Sequence, residues 1–452
     1  MAGVRPTDGL PEWASSDVVD PTSGQNNKVE PPAGWKSNGW SYQEKPPRNY
    51  DNWQKWQYYK WIEYLDLACV RPATYFVAAS DATDESRAHA DAVCDGVSDE
   101  AQLQEALSAI AAAGGGLLLL SEGTFTVNGG LTIGISVHIR GAGIGATVIK
   151  VDAAASTDFA ILSAINKTEI SVAELSIDGT GGSVAQNHTG ILIDTCSEVT
   201  IHDVQVFQIA YDSGLYTGGN GAGVNIDDST QVTLSRCTIK NNGGIGVIVS
   251  GASHSVIIDA CNLQTNVVYG AFLTGYGGVV SSCVVRDNGD AGILVSGERW
   301  SIVGCDIRDN DGDGIELAGA WIIISGCKIF GNGLHGIDMS TVDCYSCVID
   351  MNIIEGNSQG ADNTSSGINI TADVSGCSIR GNVIHKGAGV NKHKYGISVA
   401  GAPNTSVIHG NYMIDAGSTL PFNGTAKTDP EWVGSAAGTN VQHDITRANH
   451  IA

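Results

Sequence analysis

Gly314-Ile315-Glu316-Leu317-Ala318 stands between Gly292-Ile293-Leu294-Val295-Ser296 and Gly336-Ile337-Asp338-Met339-Ser340, each copy 22 residues from the next. The copies are short, rich in branched residues and separated by Gly, Asn and Asp, a pattern of strands and corners rather than of helix. Outward from them the same period continues. Cysteine recurs at 237, 261, 283, 305, 327 and 377, and asparagine five residues later at 242, 266, 288, 310, 332, 357 and 382. Glycine follows four residues after most of those asparagines, at 246, 270, 292, 314 and 336. A fixed period of this size is the mark of a solenoid. A coil with two or three strands, rising about 3.3 Å per residue and stacked about 4.8 Å apart, closes an all-β, right-handed parallel β-helix. Small Cys and Asn side chains then stack inside, where Asn can bond the backbone of the next turn and satisfy corner groups that the sheet leaves unpaired.

Composition bounds the rest. The chain has 452 residues, 58 glycines and 16% charged residues, enough for one long apolar core with many corners. No run reaches 18 apolar residues and no basic segment followed by an apolar run opens the chain, so neither a membrane span nor a secretion signal is expected. The 11 cysteines are odd in number, and like side chains on stacked rungs point in parallel, which suits reduced, buried thiols. Cys344 and Cys347 form a Cys-x-x-Cys without the second pair of a zinc site. A formal charge of −24 repels nucleic acid and favours neutral glycans, or acidic glycans bridged by cations.

Four regions follow: an arm at 1–66, a capping helix with the first turns at 67–150, the β-helix proper at 151–415, and an extension at 416–452. The arm lacks the period. It contains Leu10-Pro11-Glu12-Trp13-Ala14, then Gly39-Trp40-Ser41-Tyr42-Gln43-Glu44-Lys45-Pro46-Pro47-Arg48, and a helical pattern over Tyr50–Leu65 carrying Trp53, Trp56, Tyr59 and Trp61. These runs resemble the amino-terminal arms of phage tail fibres and tailspikes. The resemblance implies attachment to other virion tail proteins through residues 1–66, a homotrimer, and action outside the cell. Further on, Cys94-Asp95-Gly96-Val97-Ser98-Asp99, an apolar helical spacing at Leu103, Leu107 and Ile110, the glycines 114–116 and Glu122-Gly123-Thr124-Phe125-Thr126-Val127 are similar to the start of the pectate-lyase-like β-helix superfamily. That superfamily hosts lyases, hydrolases, epimerases and inert spikes, so the likeness implies fold and leaves the activity open. Ser98 or Asp99 is the expected helix cap.

Alternation along the strand after each glycine turns Ile293, Val295, Ile315, Leu317, Ile337 and Met339 inward. The residues between them, Asn225, Ile248, Phe272, Leu294, Glu316, Asp338, Asn369 and Ser398, form one outward column. Before the glycine, a second column runs Ile245, Tyr269, Ala291, Asp313 and His335. Glu316 and Asp338 thus become neighbours on adjacent rungs, flanked by Asp313 and His335. Stacked like charges raise one carboxyl's pKa, and glycoside hydrolysis needs one carboxyl protonated and one ionised. Longer excursions, between Phe207 and Gly223, Asn357 and Gly367, and Asn382 and Gly396, wall the column at one corner and leave a trough.

The expected machinery is therefore Glu316 and Asp338 assisted by Asp313 or His335. Tyr211, Asp212, Tyr216, Asn225, Tyr269, Phe272, Asn369, Lys392 and His393 would contact a polysaccharide. A surface that coincides by chance, with loops that are tolerated insertions, is the plain alternative. A uronate lyase or C5-epimerase would instead need a base and a cation for the carboxylate, and Lys386, Lys392 and Lys394 supply local basicity. Alginate epimerases of this fold carry a Tyr-x-x-Asp-x-His run, of which only Tyr211-Asp212 is present, without the His. A non-catalytic glycan-binding spike is the third reading. No cofactor is required. Calcium is a candidate ligand at Asp309, Asp311 and Asp313, which open a D-x-D-x-D-G loop whose twelfth position is Ala320 rather than Glu. Arg286, Arg308 and Arg380 share a further outward column with Lys240, read as surface ion pairs.

Overall fold

The computed structural model describes residues 73–181, 187–210, 221–339, 344–361, 364–370, 374–387, 392–399, 406–414, 420–423 and 450–451. The arm at 1–66, Tyr211, Asp212 and Tyr216, and most of 416–452 lie outside them. Each turn carries three short parallel strands, as in Glu298–Val303, Asp306–Arg308 and Ile315–Leu317. The third strand of every turn joins one 12-stranded sheet, here called the groove sheet, while the others stack into a 25-stranded sheet that wraps the remaining sides.

Period-two alternation decides which side chains enter the coil. Ile293, Val295, Ile315, Leu317, Ile337 and Met339 are all fully buried in one continuous core. A helix at Glu100–Ala112 adds Leu103, Ala106, Leu107 and Ile110 to that core. Its cap differs from expectation. Asp99 sits at the N-cap but makes no side-chain bond to the helix; its carboxylate accepts instead from the N–H groups of Gly96 and Thr126 at 2.8 and 2.7 Å, tying the helix start to a strand.

The asparagine ladder is a chain of side-chain bonds. From Asn242 through 266, 288, 310 and 332 to Asn357, each Nδ2 donates to the next Oδ1 at 2.8–3.0 Å, and the same oxygen accepts a backbone N–H. Most of these amides also donate to a core-side carbonyl, as Asn310 does to Val285 at 3.3 Å. The ten cysteines among the described residues are free and buried, and Sγ of Cys283 and Cys305 donates to carbonyls of its own and the preceding rung.

Two rungs depart from the expected register. The ladder that reads Cys up to Cys327 continues as Asn352, Asn382 and Asn411: the Cys327 N–H donates to Asn352 Oδ1 at 2.9 Å, and Asn352 and Asn382 pass the bond onward. Cys377 stacks on Cys347 one corner earlier. The cause is that a Cys-x4-Asn spacing serves two successive corners, so residue type alone does not say which. Arg380 moves with them, lying over Asp350 while Arg286 lies over Arg308. The last long excursion accordingly leaves the strand Val383–His385 after its end rather than at Asn382.

Candidate active site

The groove sheet stacks Asn225, Ile248, Phe272, Leu294, Glu316, Asp338, Asn369 and Ser398 in one unbroken register. The corner column before the glycines also forms, with the N–H of Gly246, Gly292, Gly314 and Gly336 donating to the carbonyls of Tyr269, Asp313, His335 and Ser366. The expected column therefore exists, and Glu316 faces Asp338. It is less open than expected: Asn225, Ile248, Asp338, Asn369 and Ser398 are each buried, and Asp338 keeps only 6% of its surface exposed. Glu316 is half-buried, the longest acid in the column and the one that reaches furthest toward water.

Around these two, bonds fix the partners. Asn369 Nδ2 donates to Asp338 Oδ1 at 2.8 Å. Asp313 Oδ1 accepts the His335 N–H at 2.6 Å, and His335 Nδ1 accepts the Ser366 N–H at 2.8 Å. A ring nitrogen that accepts a backbone N–H carries no proton, so the neutral imidazole holds its proton on Nε2. Burial pushes His335 below the usual histidine range, with Asp338 opposing. Its free edge is thus a donor, and its lone pair is already engaged.

The acids respond in the opposite sense. Burial, then Asp338, pushes Asp313 up to about 8, against the His335 N–H that favours its ionised form. Glu316 is raised by burial, then by Asp338 and Asp290. Asp290 was not singled out from the sequence, although it immediately precedes Ala291 in the column that holds Asp313. At the other end of the groove, Ile245, Ile248 and Ala222 make a second apolar cluster outside the core, with Val268, Tyr269 and Phe272 packed against it. The Tyr269 and Phe272 rings lie 5.9 Å apart at 41°. The outward face thus passes from an aromatic half to an acidic half within three rungs.

The remaining candidates are dispersed. Lys392 is half-buried and His393 fully buried, beside the strand Tyr395–Val399. Asp309 pairs with Arg308 at 2.9 Å, Asn310 is committed to its ladder, Asp311 is exposed and Asp313 bonds His335. The Asp309–Asp313 run is a corner where Asp309 and Asp313 bond separate partners, and among the described residues no three His, Cys, Asp or Glu side chains gather to hold a metal ion. No helix among the described residues is long and apolar enough to cross a membrane.

Comparison with known proteins agrees with this fold. Residues 245–413 match the family model described as right handed beta helix region, so the solenoid is a right-handed parallel β-helix. The A-module of mannuronan C-5 epimerase AlgE6 from Azotobacter vinelandii is similar in structure, with a TM-score of 0.61 at 18% identity, covering 79% of this chain and 95% of that one. The Dettilon tailspike protein is similar at a TM-score of 0.56 and 16% identity, covering 92% of this chain and 72% of that one. In sequence, 67 residues are 51% identical to mannuronan C5-epimerase AlgE2 of Azotobacter vinelandii, 13% of this chain. The chain spans 7% of the length of that relative.

Proposed function

We propose that this chain is a polysaccharide-cleaving β-helix enzyme, a tailspike-like glycoside hydrolase in which Glu316 is the general acid and Asp338 the nucleophile. The observation that carries the reading is the in-register stacking of Glu316 on Asp338, with burial raising the first and Asn369 holding the second. Adjacent strands stand about 4.8 Å apart, which suits the roughly 5–5.5 Å carboxyl separation of retaining enzymes better than the wider gap that admits a water. In this reading the Glu316 proton passes to the glycosidic oxygen as that bond breaks, and Asp338 bonds the anomeric carbon. Glu316 then takes a proton from water, which displaces Asp338 and releases the sugar. Asp313 stays protonated below pH about 8 and so limits the charge the site must hold. His335 presents Nε2–H as a hydrogen-bond donor, and the aromatic half of the groove packs on sugar faces.

The likeness to mannuronan epimerases supports a second reading, a uronate lyase or C5-epimerase on the same groove. Two features weigh against it. The His335 lone pair is engaged by Ser366, so the imidazole cannot take a proton in its neutral form without releasing that bond. The charges that act most on Asp313 and Glu316 are other acids, which repel a uronate. Product analysis separates the readings: new reducing ends without ultraviolet-absorbing unsaturation, lost in both Glu316→Gln and Asp338→Asn, are expected of the hydrolase. Full activity in both variants would remove it. The same proposal takes residues 1–66 as the attachment to a virion, a trimer as the assembly, and the outside of the host cell as the place of action; sedimentation of the full chain tests the trimer.

A further inference from the structure

The corner that follows the groove sheet carries side chains that the fold does not ask for. Trp321 has φ of 55°, the left-handed region shared by the residues it stacks with at this corner, Glu198, Gln231, Ser255, Gly277, Arg299 and Ser346, and it is the one ring among them. It also leaves 39% of a large apolar side chain in water. The Arg299 guanidinium lies over the indole with Cζ 5.0 Å from the ring centroid, and on the other side the Tyr345 ring meets it edge-on at 4.9 Å. Tyr276, one rung before Arg299, is 56% exposed. Four successive rungs thus present three rings and one cation over about 14 Å, three times the strand spacing, with Glu298 stacked on Tyr276 beside Arg299.

The charge of that ladder is out of step with the molecule. Arg87, Arg140, Arg236, Arg286, Arg308 and Arg380 each pair with a carboxylate. Among the described arginines Arg299 alone makes no ion pair with a described residue, in a chain of formal charge −24. A guanidinium held over an indole is oriented and retains N–H donors for a planar anion. The exposed surface of Tyr276 and of Trp321 offers aromatic area for the C–H face of a pyranose.

We propose that Tyr276, Arg299, Trp321 and Tyr345 form a second, non-catalytic glycan site that holds a carboxylate-bearing sugar. Arg299 takes the carboxylate through paired N–H donors, and the rings take the sugar body. The site stands on the same turn as Glu316, four residues beyond Leu317, yet uses none of the groove acids. It does not depend on the hydrolase reading.

The test uses the full chain carrying Glu316→Gln and Asp338→Asn, which removes both stacked carboxylates from the groove, and calorimetric titration with hexasaccharides of mannuronic, guluronic and galacturonic acid and a neutral glucan hexasaccharide, each recovered intact afterwards. At least one uronate should bind, more weakly as salt rises, with the glucan clearly weaker. Arg299→Gln should weaken the uronate by roughly tenfold and remove most of the salt dependence. Trp321→Asn, a residue that suits left-handed backbone, should weaken it similarly with circular dichroism unchanged. Binding of none of the three uronates, equal binding of the glucan, or unchanged affinity in both variants would overturn the proposal. Cleavage of a neutral glycan by otherwise wild-type Arg299→Gln reports on the groove separately.

Discussion

Replacing Asp313 by Asn should make the fold more stable, and increasingly so as pH rises. In the unfolded chain this carboxyl ionises near 3.8, whereas burial and the charges of Asp338 and Glu316 push it up to about 8 in the fold. Between those values the folded state binds the proton that the unfolded state has lost, so stability falls as pH climbs through the window and is retained below it. The shift is about four units at about 1.36 kcal/mol each, which bounds the loss at roughly 5–6 kcal/mol. Sharing of charge with Glu316 and Asp338 reduces that to about 3–5 kcal/mol. Asn cannot ionise, and its Oδ1 can keep the 2.6 Å bond from the His335 N–H. The two proteins should therefore melt together near pH 4, with the variant ahead by several kcal/mol at pH 9. Denaturant and thermal unfolding of both proteins, followed by one probe from pH 4 to 9, measures the difference. A difference that does not change with pH would refute the assignment of a protonated Asp313.

His335 gives the mirror image: burial lowers its pKa, so its contribution is present above pH about 6.5 and is lost as pH falls, and His335→Gln should flatten the acid side of the same stability profile. Asn310→Ala, in the middle of its ladder, strands the Asn288 N–H and the Val285 carbonyl in the core; a loss of about 3–5 kcal/mol in chemical unfolding is expected. The ten buried thiols should resist a water-soluble disulfide reagent until the chain unfolds, and a reductant should leave the melting temperature unchanged. Activity on a neutral glycan should survive chelation, since Asp309 is paired with Arg308 and Asp313 with the His335 N–H; loss of activity restored by calcium would point to a metal that the groove acids recruit.

The repeat was legible because stacking turns residue identity into a spatial rule. Every rung must satisfy the same corner, so Asn242 through Asn357 read as a column before any coordinate is known, and the Glu316–Asp338 register follows by counting. The same rule failed at Asn382 and Cys377, where the turn through 340–352 is longer and an identical Cys-x4-Asn spacing serves the neighbouring corner. Shelter of the groove was also beyond reach, because strand alternation says which way Asp338 points but not what lies over it. The His335–Ser366 bond was invisible for a related reason: its donor is a backbone N–H, which any residue but proline at 366 would supply. Asp99 shows the limit of local motifs, since its carboxylate serves a strand rather than the helix it precedes.

A solenoid sets no requirement on its outward residues, and that freedom is what makes the acids informative. On the groove column the rungs before Glu316 carry Ile248, Phe272 and Leu294, and the corner position before Asp313 is Ala291, so the fold accepts neutral residues throughout. Stacked like charges are destabilising, and Asp290, Asp313, Glu316 and Asp338 place four carboxyls within reach of one another. Trp321 departs from its corner in the same manner, an exposed ring in a left-handed column that elsewhere holds Glu198, Gln231, Ser255, Gly277 and Arg299. Both departures fall on consecutive rungs of the same few turns. The stacked acids cost stability that the surrounding ladders restore, and the core requires neither departure. The proposed chemistry at the first and the proposed recognition at the second would account for both on one principle: where a repeat could have chosen a harmless residue and holds an unexpected one, the side chain serves something outside the fold.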